Sequence, residues 1–448
     1  MDQHLSFLCL FLSLFLQFPF NFSWNSLTFL DLGSNLLEGS LPSSLCNLSN
    51  LEYLLLSGNS MTGPIPHCFS NISSQLKVLD LRKNGFHGKI PTNFPEGNQL
   101  RNLGLNGNKL EGPIPKSLKN CKKLEVLDIG HNQISDTFPM WLESLPELSV
   151  LILASNQLHG TIGISETKSP FLKLRIFDIS YNHFTGSLPA EMIKNFQAMK
   201  RVDNNNQTQA KYMGDGSYYD DSVTLMMKGL EIEIKRVLTI FTTIDLSGNE
   251  FDGKIPNSIG DLNSLKVLNF SRNRLIGVIP STFGDLSQLE SLDLSWNQLA
   301  GKIPVELGKL NFLSALNLSE NQLEGRIPTG GQFNTFQNIS FIGNKGLCGF
   351  PLKDCGGFNH SNSPESWKHH HKDLLDLMSG FTWKSVLFGY CFGTILGLSI
   401  GVVMFATRKP KWFVSLVEDM CIRSKTTRRG SIRLHQFNTY RKKWKHDM

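Results

Sequence analysis

The stretch "LKVLNFSRN", Leu265 to Asn273, decides the fold. Leu265, Leu268 and Phe270 fall on one side of a short strand, and an asparagine closes the unit. The same pattern ends at Asn35, Asn59, Asn84, Asn108, Asn132, Asn156, Asn182, Asn249, Asn297 and Asn321. The steps are 24 to 26 residues, with one of 67 between Asn182 and Asn249. Most units continue L-x-G-x-I-P, as in "LEGPIP" at 110–115, "FDGKIP" at 251–256 and "LAGKIP" at 299–304. The glycine permits a tight turn and the proline fixes an extended stretch. No such unit buries its apolar face alone, so the units must stack into a solenoid with one continuous core. Each asparagine then turns into the coil, where backbone groups of neighbouring turns are expected to satisfy it. These asparagines read as structural, not as ligands.

The pattern L-x-x-L-x-L-x-x-N is that of the leucine-rich repeat, present eleven times. Its L-x-G-x-I-P continuation resembles the plant-specific class, which implies a second strand on the side of each coil. The expected fold is an α/β-type solenoid, a plant-specific leucine-rich-repeat superhelix. It has short parallel strands and a coil or 3-10 convex side, joined to one transmembrane α-helix.

Residues 386–407 carry no charge and span roughly 33 Å as a helix, enough to cross a bilayer core. Arg408, Lys409 and Lys411 follow at once, which places the C-terminus in the cytosol and the N-terminal part outside. Within the span Gly389, Gly393, Gly397 and Gly401 recur every fourth residue. Glycine costs about 1 kcal/mol in a helix, but four in register make a flat face for close helix packing in lipid. The apolar run near the N-terminus makes residues 1–22 a secretory signal or its remnant. Sequons at Asn21, Asn47, Asn71, Asn206, Asn269, Asn317, Asn338 and Asn359 suit an exported glycoprotein. The net charge of +6 is confined to the tail, where twelve Lys/Arg face three Asp/Glu, so nucleic acid is not an expected partner. Such a tail, residues 408–448, suits the inner leaflet instead.

Residues 27–198 hold repeats one to seven and 241–335 hold repeats eight to eleven. Between them, 199–240 form an insertion with a polar first part containing Lys211, Tyr212, Tyr218 and Tyr219. Its second part, "SVTLMMKGLEIEIKRV", reads as a hairpin turning at Lys228-Gly229. Long loops in compact architectures are usually functional or disordered, so a binding role is expected. Cys348 and Cys355 in the cap, 336–357, read as a disulfide sealing the last repeat, ahead of a linker at 358–385. Cys46, Cys68 and Cys121 lie in separate repeats and read as packing residues or free thiols.

The repeats, the insertion before the last four of them, "NKGLCGFPL", a single span and a kinase-free tail together resemble plant receptor-like proteins. They are most similar to the group holding disease-resistance and elicitor receptors. The resemblance implies a plasma-membrane receptor that binds an extracellular, often pathogen-derived ligand. It also implies two kinds of partner: a receptor kinase held constitutively through the span, and a co-receptor kinase recruited by ligand. Lys211, Tyr218 and Tyr219 correspond to the family's island motif. The family carries a cysteine-paired cap before its first repeat and usually more repeats, so the chain looks N-terminally truncated.

Outward strand positions should form the concave binding face, and in the last four repeats these include Thr243, Asp245, Arg272, Asp293, Trp296 and Glu320. Trp296 stands out as a large aromatic at an outward position. No kinase, zinc-site or serine-hydrolase motif occurs, and no cofactor or metal is called for. The alternatives to a receptor are a non-signalling decoy or an extracellular inhibitor module built on the same repeats.

Overall fold

The computed structural model describes residues 26–70, 75–164, 170–200, 212–214, 222–227 and 230–355. The described residues all belong to one compact unit. The leader, the 386–407 segment with its four glycines and the basic tail lie outside the described residues. Among the described residues no helix is long and apolar enough to cross a membrane.

Eleven three-residue strands, one per repeat, make a single parallel sheet running from Phe29–Asp31 to Ala315–Asn317. Each strand pairs with its neighbour one repeat on, as in Val267↔Ser291 and Leu268↔Leu292. Second strands form side sheets of five, three and four members, the feature that the plant-specific repeat implies. On the convex side lie 3-10 turns such as Asn257–Asp261, Ser281–Asp285 and Val305–Lys309. Gly253, Gly301 and Gly325 of the G-x-I-P segments stand at φ of +76°, +81° and +84°, where a side chain would be strained.

The core is one cluster running the length of the solenoid, and Leu265, Leu268 and Phe270 are fully buried in it. Asn273 shows how the ladder works. Its Nδ2 donates to Leu246 O of the preceding repeat at 3.0 Å and to Phe270 O at 3.1 Å, while its Oδ1 accepts from Phe251 N at 3.1 Å. Each repeat therefore satisfies the backbone of the one before, and an unmade bond there would cost about 1–3 kcal/mol.

The insertion leaves the sheet unbroken. Strand Ile176–Asp178 of repeat seven pairs directly with Thr243–Asp245 of repeat eight. On the convex side two short helices, Ala190–Ile193 and Gln197–Lys200, bridge the junction, with Ser264 N donating to Met199 O at 3.0 Å. Where leucines give way to aromatics, Phe138, Phe177, Phe196 and Phe171 pack edge to face at 5.4 to 6.1 Å between centroids.

Two expectations change. Cys46 and Cys68 are joined as a disulfide, Cα 5.9 Å apart, rather than acting as packing residues or free thiols. Stacking brings the 3-10 segments Ser43–Asn47 and His67–Ser70 of successive coils together, so a separation of 22 residues becomes contact although the two cysteines are not at equivalent repeat positions. Among the described residues Cys121 alone is a free thiol, buried, and burial pushes its pKa up to about 11, which disfavours the reactive thiolate. The cap is also more than a disulfide. "FQNISFIGN", 336–344, folds as a degenerate twelfth turn: Asn344 Nδ2 donates to Leu318 O at 2.9 Å, and Leu323 N donates to its Oδ1 at 3.0 Å. Ile339 remains 63% exposed, and a 3-10 turn at Asn338–Ser340 replaces the strand, which blunts the sheet edge. Beyond it Cys348 and Cys355 are bonded at 2.01 Å.

Candidate binding surface

Outward strand positions should be polar on a solvated face, yet in repeats five to seven Val126, Val150, Ile152, Ala154 and Ile176 are buried. The insertion covers them. Its Met213, Val223, Leu225 and Val237 form a second apolar cluster with these five residues, separate from the solenoid core. Strands Val223–Met227 and Leu230–Ile234 pair antiparallel with Met227 opposite Leu230, the hairpin that its alternation implies. Val223 and Leu225 thus supply the apolar face of the first strand.

Polar contacts extend this docking back to repeat three. Arg82, clamped by Asp80 at 2.7 Å, donates from Nη2 to Ser222 Oγ at 2.9 Å and from Nη1 to Ser222 O. Lys83 Nζ lies 2.5 Å from a Glu233 carboxylate oxygen, and its hydrogen bond holds that carboxyl below its usual range. At the other end Tyr212 is committed to the insertion's own base. It bridges Leu238 while the Arg236 guanidinium sits 4.0 Å above its ring. Lys211, Tyr218 and Tyr219 lie outside the described residues. Reading the sequence alone missed the docking, although two patterns signalled it: apolar outward positions in three successive repeats, and a hairpin with one apolar face.

A cleft of about 180 Å³ remains along the seam, lined by His131, Ser155, Asp178, Ser180, Tyr181 and Thr224 together with Ala154 and Leu225. Beneath it, Asp178 and Asp245 are direct cross-strand neighbours, each 3% exposed. Ser180 and Ser247 each give a backbone and a hydroxyl hydrogen bond to their aspartate, with the hydroxyl bonds at 2.6 Å. Burial pushes Asp178 up to about 6; burial and the facing Asp178 charge push Asp245 up to about 8. Burial raises Asp128 as well, and its Oδ2 has no partner among the described residues.

The C-terminal repeats present a different surface. Arg272, Trp296 and Glu320 are not on the strands as expected but in the turn after each, at φ of 55°, 56° and 55°. Every repeat places its eighth residue there, because the chain must reverse before the ladder asparagine. Trp296 is 53% exposed, with the Arg272 guanidinium 5.6 Å from its ring centroid. Asp293 is a ladder residue, accepting from Ser295 N at 2.9 Å and Ser295 Oγ at 2.6 Å. Thr243 and Asp245, expected on the open face, are buried.

Of the sequons, Asn47 and Asn338 are exposed. The side-chain nitrogens of Asn269 and Asn317 instead donate to Asp245 and Asp293 at 2.9 and 3.3 Å, inside the strand-face ladder. Asn21, Asn71, Asn206 and Asn359 lie outside the described residues. Among the described residues no group of three or more His, Cys, Asp and Glu is placed to hold a metal ion.

Two family models described as leucine-rich repeat match this chain, one over 98–158, 240–299 and 265–323, the other over 26–48, 50–72, 75–96 and 173–195. Receptor-like protein 35 of Arabidopsis thaliana is 43% identical over 384 residues, covering 85% of this chain and 40% of its own length. Receptor-like protein 9DC3 of Solanum pimpinellifolium is 51% identical over 352 residues, covering 78% of this chain and 40% of its own length. The chain therefore spans about two fifths of these relatives. Among solved structures, the Arabidopsis receptor kinase HAESA, in complex with the peptide hormone IDA and the co-receptor SERK1, aligns with a TM-score of 0.53. It is 31% identical and covers 74% of this chain and 51% of its own. The PEPR1–AtPEP1 structure aligns with a TM-score of 0.54 at 30% identity, covering 71% and 42%.

Proposed function

The chain belongs to the leucine-rich-repeat family of plant receptor-like proteins, and from that premise we propose that it is a non-catalytic cell-surface receptor acting through borrowed kinases. Its solenoid and docked insertion recognise an extracellular ligand in defence, and receptor kinases carry the signal inward. The observation that carries the reading is the division of the concave side. The described insertion residues pack over repeats three to seven, while repeats nine to eleven present an exposed Trp296 under Arg272. Exposed aromatic and arginine pairs are favoured contact residues, so this C-terminal stretch suits a co-receptor ectodomain, with Glu320 one repeat further on.

The constitutive partner is assigned to the membrane segment, where Gly389, Gly393, Gly397 and Gly401 offer a backbone-deep packing face. The N-terminus then lies outside and the basic tail in the cytosol. Lys211, Tyr218 and Tyr219 of the insertion are proposed to complete the recruited interface. Co-precipitation of the full chain with leucine-rich-repeat receptor kinases tests this. Association lost on Gly389/393/397/401→Leu supports the adaptor contact, and ligand-dependent association lost on Trp296→Ala supports the co-receptor surface. Absence of any kinase in the wild type would overturn the receptor reading in favour of a decoy or a binding module.

A further inference from the structure

Resting on the receptor reading, we propose that the seam cleft between the insertion and repeats five to seven takes one cationic side chain, lysine or arginine, of an extracellular peptide or protein ligand. The cleft measures about 180 Å³. Drug-sized pockets run from about 300 to 1,000 Å³, so this one suits a single long side chain rather than a whole small molecule.

The chemistry follows from a break in the ladder of fifth-position residues. In repeats eight to eleven that position alternates Asp245, Asn269, Asp293, Asn317. Each asparagine donates its Nδ2 back to Oδ2 of the preceding aspartate, at 2.9 and 3.3 Å. Asp178 of repeat seven faces Asp245 instead, because the repeat after the insertion supplies a carboxylate where an amide would be needed. Asp178 Oδ1 takes both bonds from Ser180, and its Oδ2 receives no hydrogen bond from any described residue. This side chain, 3% exposed, lines the cleft, and no lysine or arginine is among the lining residues.

A carboxylate on a side chain this buried is poorly solvated, and a cation that hydrogen-bonds to its oxygen at the cleft wall offsets that loss. Ser155 and Thr224 add hydroxyl acceptors along the wall, and Tyr181, 45% exposed, offers a ring at the mouth. Burial raises both aspartates, with the Asp178 charge adding to the rise at Asp245, while His131 in the cleft wall opposes the rise at Asp178. An anion would meet Asp178 directly, and an apolar group would leave its oxygen dry and unpaired.

The test titrates the full chain with the pentapeptides Gly-Gly-Arg-Gly-Gly and Gly-Gly-Lys-Gly-Gly, and with a citrulline analogue that keeps the arginine shape without the charge. Saturation-transfer NMR and calorimetry read the binding. Either cationic peptide is expected to bind about tenfold or more tighter than the citrulline one, a factor that one charge-assisted contact supplies. Asp178→Asn should abolish that preference. It retains the fold, because Asn269 and Asn317 already hold the same two serine bonds at equivalent positions. Asp245→Asn, which sets an amide donor opposite Asp178, and Thr224→Val should each weaken binding several-fold. Asp293→Asn, in the same column but away from the cleft, should leave it unchanged. Equal binding of the citrulline peptide, full binding by Asp178→Asn, or equal loss in Asp293→Asn would each overturn the proposal. Kinase co-precipitation by the same preparations separates the two readings: association without a charge preference removes the pocket but keeps the receptor.

Discussion

Replacing Asp245 with asparagine should make the solenoid more stable at neutral pH and change how its stability depends on acid. Asp245 and Asp178 sit opposite each other across adjacent strands, and the folded state holds Asp245 protonated up to about pH 8 against a reference of 3.8. The unfolded chain releases that proton near its reference value. A raised folded pKa therefore contributes stability that is fully present below 3.8 and is lost as pH climbs toward 8. One proton corresponds to about 1.4 kcal/mol per pH unit, so between pH 5 and 7 the wild type should lose about 2–3 kcal/mol through this residue. The asparagine variant has no such proton. It keeps the Ser247 bonds in the manner of Asn269 and Ser271, whose backbone and hydroxyl bonds run 3.1 and 2.8 Å. It forfeits the acceptor for Asn269 Nδ2, a loss of about 1 kcal/mol, so the two proteins should be near equal at pH 5 and the variant ahead at pH 7. Urea midpoints at pH 5, 6 and 7 measure the divergence. Parallel curves across that range would show that the two carboxylates do not share the strain assigned to them.

Three further outcomes follow from the ladder and the docked insertion. Asn297→Ala leaves Leu275 N without its acceptor and takes one of two asparagine donors from each of the carbonyls of Phe270 and Leu294, which keep Asn273 and Asn321, so it should cost about 1–3 kcal/mol in thermal or urea unfolding. Val223→Asp with Leu225→Asp should lift the insertion from repeats five to seven; hydrogen exchange then rises in strands Val126–Asp128, Val150–Ile152 and Ile176–Asp178 while far-ultraviolet circular dichroism stays unchanged. Glycopeptide mapping of the exported chain should find sugar on Asn47 and Asn338 but not on Asn269 or Asn317, whose nitrogens are held by Asp245 and Asp293. Glycans on the latter pair would mean that this ladder does not form in the secreted protein.

Much of the architecture is legible in the sequence. The asparagine spacing named the repeat, the G-x-I-P segments implied side strands, and the alternation of residues 222–234 implied a hairpin. Misreadings arose where partners lie far apart in sequence. Cys46 and Cys68 looked unrelated at a separation of 22 residues, yet the coil pitch sets them side by side. "FQNISFIGN" reads as cap because it carries no leucine and precedes the cysteines, although Phe336, Ile339, Phe341 and Asn344 keep the repeat's spacing. The repeat pattern reads Trp296 as a strand residue, whereas the left-handed turn before each ladder asparagine carries it.

Local sequence determined the solenoid because every repeat needs only its immediate neighbours: leucines bury against leucines one turn away, and each asparagine bonds the backbone of the turn before it. That logic is nearly one-dimensional and survives in a pattern. The surface available for recognition is not of that kind. Where the insertion lands depends on Val223 and Leu225 meeting Val150, Ile152 and Ile176 across some 50 to 70 residues of chain, and on Arg82 reaching Ser222 over a separation of 140. Only the folded structure decided which face stayed open, which acids became neighbours, and which carboxylate oxygens were left without a donor.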